Sequence, residues 1–338
     1  MKDKDFMIER PKVSIVCAWY NRSKYIKDTV DSLLKQEFDS FEVIIVNDGS
    51  TDPNVKQVLD SYEDDRLTII HQENSGFVSS ISRAISIAKG QFIAVQGSGD
   101  ISLPNRIRDQ YELIAFDDNV VAVSCWVETR SLDTNDNEAI TGYHKIEHDL
   151  VKNKDFMKSE NPFTHGEVMF RKHTYDMVNG YRSAFKYGQD RDLWLRMTTY
   201  GYGRVLKKVS YVRREFALDG VSTNIGKQLL QAKLTVLARQ CNEERLQTGF
   251  DCIEKHGVYG CFYLKKDVSF KRKVINIVYS NLKSGNIENA ILAKNELKYN
   301  SWLSYFFCSL LINIYENKLT RPIISLLIKA KNMFNKLR

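Results

Sequence analysis

The sequence predicts an α/β fold: a doubly wound, mostly parallel sheet followed by a helical C-terminal region. Three observations predict it. Short apolar runs alternate with segments of helical periodicity through the first 130 residues. The first such runs close on turns that carry Asn or Asp. Beyond about Gly226 the strand-like runs stop and only helical patterning remains.

The elements follow in order. Residues 13–17 form a first buried strand, which ends at Ala18-Trp19-Tyr20-Asn21. Residues 23–36 carry Ile26, Val30, Leu33 and Leu34 at helical spacing, with Ser23 as the expected cap. A second strand at 41–46 closes on Asn47-Asp48-Gly49-Ser50-Thr51-Asp52, and a third lies at 67–70. Asn74-Ser75-Gly76 turns the chain into a helix that ends by Gly90. The strand at 92–95 runs into Gln96-Gly97-Ser98-Gly99-Asp100, with Pro104 expected as the first residue of the helix carrying Arg106. A strand at 120–127 follows, then a polar stretch at 131–138 expected as an exposed loop. A parallel sheet gathers its ligand at the carboxyl ends of its strands, which here carry Asn21, Asp48 with Asp52, and Asp100.

Asn161-Pro162-Phe163-Thr164-His165-Gly166-Glu167 precedes an apolar step at 168–170. Then comes Gln189-Asp190-Arg191-Asp192-Leu193-Trp194, opening a helix expected to stop at Gly201. Asp190 and Asp192 suit helix capping, and a carboxylate beside a buried Trp and a His-Gly turn also suits a general base.

The boundary is placed at 225/226, with 11–225 as the ligand-binding domain and 226–338 as a helical region. The net charge of +7 is uneven. Residues 264–338 hold fourteen Lys/Arg against four Asp/Glu, a net +10, which leaves −3 for the remainder. An apolar stretch at 301–315 and Ile323-Ile324-Ser325-Leu326-Leu327-Ile328, next to Lys329 and Lys331, point to an anionic membrane surface or to an ordinary docking helix. Neither stretch is long enough to span a bilayer. Residues 1–10 are charged and expected as a frayed leader with no signal peptide, so the six scattered cysteines are expected to be reduced and the protein cytoplasmic; the membrane reading of the tail would make it peripheral on the inner membrane face. No basic-aromatic module supports nucleic-acid binding, and no GxGxxG follows the first strand.

The ordered set of motifs from Lys12 to Ser222 resembles the family-2 glycosyltransferases, with their GT-A type of nucleotide-sugar-binding fold. The resemblance is carried by residues 13–21, by 43–52, by Asn74-x-Gly76, by 88–93 and by Gln189-Asp190-Arg191-Asp192-Leu193-Trp194-Leu195-Arg196, where the family usually has Glu-Asp at the first two positions. It implies an inverting transfer from a nucleotide-sugar, a UDP-sugar in the first place, to a glycan or lipid-linked acceptor in capsule, lipopolysaccharide or other surface polysaccharide synthesis. It implies that Asp190 is the base. Asp48, beside the Ala18, Tyr20 and Asn21 backbone, with Gly76, Ser98 and Asp100, would bind the nucleotide-sugar. His165, Gly166, Asp192 and Ser222 would line the acceptor or diphosphate loop.

One departure stands out. The family's metal-holding Asp-x-Asp positions fall on Gly97 and Gly99, so Mg or Mn is left with Asp100 as a ligand. Otherwise the leaving charge falls to cationic groups, with Arg83, Arg106 and Arg171 as candidates. The alternative implied is a catalytically impaired binding or assembly protein.

Overall fold

The structure is a computed structural model and describes residues 10–133, 137–158, 160–216 and 224–317. Most of the expected leader, Ser222 and the basic stretch after Pro322 therefore lie outside the described residues. The chain divides into two compact units, Met1–Leu218 and Asp219–Arg338.

The first unit is built on one ten-stranded sheet. Its strands are β1 (Val13–Trp19), β2 (Phe41–Asp48), β3 (Leu67–Gln72), β4 (Phe92–Gln96), β5 (Ile101–Ser102), β6 (Val120–Leu132), β7 (Glu138–His144), β8 (Leu150–Val151), β9 (Met169–Arg171) and β10 (Tyr202–Phe216). The order is β3-β2-β1-β4-β9-β6-β10-β5, with β7 on β6 and β8 on β10. The β3-β2-β1-β4 half is parallel throughout, so the carboxyl ends of these strands share one edge. β9 runs antiparallel to both β4 and β6, and β10 parallel to β6.

The helices of this unit are α1 (Ile26–Leu34), α2 (Pro53–Asp60), α3 (Phe77–Ile87), α4 (Arg106–Ala115), α5 (Asn153–Phe156), α6 (Lys172–Met177) and α7 (Gln189–Met197). Val13, Ile15, Cys17 and Trp19 alternate along β1 toward one face and bury against Ile26, Val30 and Leu33 of α1, Val55 and Leu59 of α2, and Ile107 and Ile114 of α4. That continuous apolar layer fixes the strand register, and the register fixes where each strand-end turn emerges.

Several local expectations are corrected. Ser23 does not cap α1; it begins a short 3-10 turn, and its hydroxyl bonds Asp52. α4 starts at Arg106, two residues after Pro104, and α7 ends at Met197 rather than at Gly201. Of the polar stretch at 131–138, Ser131 and Leu132 belong to β6 and Glu138 to β7, which pair antiparallel. β10 carries irregular pairing with β6, so its apolar pattern lacks a clean period of two.

The second unit is helical: α8 (Ile225–Thr248), α9 (Cys252–His256), α10 (Val268–Lys283), α11 (Ile287–Asn295), α12 (Leu297–Asn300) and α13 (Trp302–Glu316). Asn224, Asp267 and Ser301 cap α8, α10 and α13 by accepting backbone N–H bonds. Phe270, Val274, Val278 and Leu282 of α10 pack with Ala290, Ala293, Leu297, Cys308 and Ile312. Among the described residues no helix is long and apolar enough to cross a membrane. α13 leaves Trp302, Leu303, Phe306 and Leu310 at least half exposed.

Candidate functional site

The site grows from the carboxyl edge of β1, β2 and β4. At the end of β2, the Asp48 carboxylate is buried and points at the turn that opens α3. Oδ2 accepts from the Gly76 N–H at 2.9 Å, and Oδ1 accepts from the Ser75 N–H at 2.7 Å and from Gln72 Nε2 at 3.0 Å. Burial alone would raise its pKa, but these donors outweigh it and hold the carboxyl below its ordinary value. Gly76 serves here because the turn needs φ of 85°, in the left-handed region.

At the end of β1, Asn21 and Arg22 both have left-handed backbone, φ 55° and 61°. Two consecutive non-glycine residues in that region are uncommon and persist where their surroundings fix them. Asn21 Oδ1 accepts from the Thr51 and Asp52 N–H groups, and its own N–H donates to Ser50 Oγ. Asn21 thus ties the β1 turn to the β2 turn, and Ala18 and Tyr20 flank it, Tyr20 exposed.

At the end of β4, the Asp100 carboxylate is buried and turned toward β10. Oδ2 accepts from the Tyr211 hydroxyl at 2.7 Å, and Oδ1 accepts from the Arg214 N–H at 2.9 Å. Burial raises its pKa, against the lowering effect of those two donors. The Gly97 N–H donates to the same Tyr211 hydroxyl at 2.9 Å, while Ser98 remains at the half-buried tip of the turn.

β9 enters this edge antiparallel to β4, with the Val95 N–H donating to Val168 O. That register places His165 and Gly166 beside the Gly97 turn. A Cβ on Gly166 would stand 2.3 Å from the Tyr211 hydroxyl and 3.3 Å from the Gly97 nitrogen, so the close approach requires glycine. His165 shares a 2.6 Å hydrogen bond with the Tyr181 hydroxyl and meets Phe77, the first residue of α3, edge-on at 5.2 Å. Burial lowers its pKa to about 4, so the imidazole is neutral at physiological pH.

Asp190 and Asp192 separate into two roles at the start of α7. Asp192 is buried between two guanidiniums, with Arg196 Nη2 donating at 2.7 Å and Arg182 Nε at 3.0 Å. Burial would raise it, but Arg196 and Arg182 hold it below its ordinary value, and it acts as a packed ion pair. Asp190 is half-buried and accepts from Asn161 Nδ2 at 2.8 Å. Burial lifts its pKa to about 6, against the lowering effect of the Arg191 N–H and charge, with the Glu167 carboxylate adding to the rise. A carboxylate poised there is a competent proton acceptor at neutral pH.

Part of the predicted set is joined by contacts, and Asp190 is reached in it only through its helix. Asp48 fixes Gly76, Gly76 precedes Phe77, Phe77 meets His165, and His165 packs on Tyr181 and on Trp194 of α7. Ser222 lies outside the described residues. Three participants went unrecognised in the sequence: Tyr211, Asn161 and Arg22. Arg22 adjoins Asn21 and Asn161 opens the His-Gly stretch, so both sat inside motifs already marked. Tyr211 lies 111 residues beyond Asp100 and carried no local signal.

The expected cations are committed elsewhere. Arg106 is fully buried and donates to Gln96 Oε1, Ser102 Oγ, Val95 O and Gly166 O. Arg171 pairs with Phe92 at the far end of β4 and donates to Ile114 O and Asp117 O. Arg83 donates to Gln72 Oε1, at the Asp48 end. Among the described residues no three His, Cys, Asp or Glu side chains gather as a metal-holding group. With Gly97 and Gly99 at the motif positions and both Asp100 oxygens bonded to Tyr211 and Arg214, the donor set does not fit a hard divalent cation.

A profile described as Glycosyl transferase family 2 matches residues 14–180. EpsE of Bacillus subtilis, a glycosyltransferase by name, is 29% identical over 211 residues, 61% of this chain and 73% of its own length. The hyaluronan synthase of Pasteurella multocida is 29% identical over 224 residues, 66% of this chain and 22% of that protein. Among solved structures, S. aureus TarS 1–349 in complex with UDP-GlcNAc aligns with a TM-score of 0.55 at 15% identity, covering 90% of this chain and 91% of its own. The mannosyltransferase PcManGT from Pyrobaculum calidifontis, in complex with GDP-Man and Mn2+, aligns with a TM-score of 0.50 at 16% identity, over 97% and 89%. These likenesses establish the fold as GT-A-like.

Proposed function

We propose that this chain, a member of the family-2 glycosyltransferases, moves a sugar with inversion from a UDP-sugar to a hydroxyl of a glycan or lipid-linked acceptor in surface polysaccharide synthesis. The observation that supports it most is the setting of Asp190. It is a carboxylate at the start of α7, raised to about 6 and held by Asn161, on a helix whose Trp194 packs on His165, which in turn meets Phe77 beside the Asp48-Gly76 turn.

In this reading the nucleotide lies against the β1 and β2 turns. Asp48 acts there mainly by fixing the Ser75-Gly76 turn, since its oxygens already accept from those N–H groups. The acceptor hydroxyl approaches from the α7 side. Its oxygen forms a bond to the anomeric carbon as the bond to the β-phosphate oxygen breaks, with the electron pair leaving on the nucleoside diphosphate. Asp190 takes the hydroxyl proton, on a helix whose buried Trp194 packs on neutral His165. The uridine nucleotide is supported by TarS, solved with UDP and with UDP-GlcNAc. A polysaccharide product is supported by relatives named hyaluronan synthase and chondroitin synthase, although the chain spans only 22% and 31% of those proteins.

The lipid-linked acceptor rests on the second unit. α13 exposes Trp302, Leu303 and Phe306, at 68%, 75% and 60%, in a region with a basic excess. Exposed aromatic and aliphatic groups with cations nearby suit peripheral contact with an anionic membrane.

A second reading, a catalytically impaired assembly protein, is favoured by Gly97 and Gly99 and by the full engagement of Asp100. Incubation with labelled UDP-sugars and membrane fractions separates the two. Transfer that disappears with Asp190→Asn supports the enzyme; nucleotide binding without any transfer supports the assembly protein.

A further inference from the structure

We propose that Arg22 supplies the positive charge that meets the diphosphate of the donor, at the turn where the family's metal-holding carboxylates are replaced by Gly97 and Gly99. The inference rests on the nucleotide-sugar reading and adds how the leaving group is held.

The argument begins with the loss of donors. Neither Gly97 nor Gly99 offers an oxygen side chain, and Asp100 is bonded through both oxygens to β10. A carboxylate at Gly97 would displace Asp100 from its bonds to β10, because even a Cβ there would stand 2.2 Å from Asp100 Oδ2. A departing diphosphate still needs positive charge, because stabilising charge as it develops is a large part of catalysis. Arg106 and Arg171 are spent on backbone carbonyls, and Arg83 is held by Gln72 at the Asp48 end.

Arg22 stands in the right place. Its Nη1 donates to Ser98 O at 2.9 Å, so the guanidinium lies on the residue between the two glycines. One face rests on the Phe216 ring, 4.1 Å from its centroid. Arg22 is partly exposed. The backbone at Arg22 is left-handed, and the Asn21 side chain pins the neighbouring turn to residues 51 and 52. A strained, doubly anchored arginine beside an emptied metal motif is a pre-positioned cation, and a guanidinium presents a donor fork suited to phosphate oxygens.

The test is UDP and uridine binding by calorimetry, each in EDTA and in Mn, using the full chain. The variants are Arg22→Asn, chosen because Asn tolerates left-handed backbone, and Arg22→Lys. Wild-type protein is expected to bind UDP with the same affinity within about twofold in EDTA and in Mn. Arg22→Asn is expected to weaken UDP about tenfold to a hundredfold and leave uridine unchanged, with Arg22→Lys between. A thermal melt checks that each variant is folded. Arg22→Asn binding UDP as wild type does, or Mn tightening wild-type UDP binding more than about tenfold, overturns the role of Arg22 and leaves the donor reading standing. Wild-type protein that does not bind UDP in either condition overturns the donor reading, and this inference falls with it.

Discussion

Asn161 Nδ2 donates a 2.8 Å hydrogen bond to Asp190 Oδ2, joining the residue that opens the His-Gly turn to the carboxylate that opens α7. Among the described residues, the Asn161 side-chain oxygen Oδ1 is buried without a hydrogen-bond partner. Leaving a buried acceptor unpaired carries a cost, so this amide is placed for what its nitrogen does. An amide donor favours the charged carboxylate and aims it. Asn161→Ala is expected to lower kcat at pH 8 about three- to tenfold and to move the acid limb of the pH profile upward by roughly half a unit to one unit. A residue that only fills space would lower kcat without moving that midpoint.

Asp190 also makes a prediction about stability. Its value in the folded protein, about 6, lies above its ordinary 3.8. Ionising it therefore costs the native state, with the penalty absent well below pH 4, growing between 4 and 6, and complete above 6. Asp190→Asn removes the penalty and keeps an acceptor for Asn161. The variant is expected to be more stable than wild type by on the order of 1–3 kcal/mol at pH 8 and equal to it near pH 3.5. Urea titrations at the two pH values check this, and a gain that is the same at both would point to packing rather than charge.

Tyr211 joins Asp100 and Gly97 through one hydroxyl, which donates to the carboxylate and accepts from the backbone. Tyr211→Phe leaves both groups short of a partner in a buried place. The expected loss is about 2–4 kcal/mol of unfolding free energy. Urea denaturation of the variant measures it.

Gly97→Ala sets a methyl group against Asp100 Oδ2 at 2.2 Å and against the Tyr211 hydroxyl at 3.0 Å. The Asp100 side chain cannot yield without giving up its bonds to Tyr211 and Arg214. The variant is expected to lose about 2–4 kcal/mol and to bind UDP more weakly. Retention of wild-type stability would mean that the turn is looser than its hydrogen bonds imply.

Much of this was legible in the chain, for a physical reason. β1, β2 and β4 are buried on both faces, so they read as uninterrupted apolar runs, and the turns that follow them must carry the polar chemistry. Asp48 and Asn21 were marked for that reason, and His165 and Asp190 as a His-Gly turn and a carboxylate at a helix start. What each does was less legible. Asp192 resembles Asp190 in sequence, yet Arg182 and Arg196 close around it, and Arg182 lies ten residues upstream in a stretch with no pattern. β10 escaped notice because its irregular pairing breaks the period of two, and with it went Tyr211, the partner that decides how Asp100 is used. Long-range hydrogen bonds of this kind leave no trace in local spacing.

The most direct measurement is the rate of sugar transfer from labelled UDP-sugars to membrane-fraction acceptor, by wild type and by Asp190→Asn, between pH 5 and 8. The account predicts a wild-type rate that rises through a midpoint near 6 and levels off above it, with Asp190→Asn slower by about a hundredfold or more across the range. Transfer by Asp190→Asn at the wild-type rate, or a wild-type rate that falls as the pH rises through 6, would contradict it.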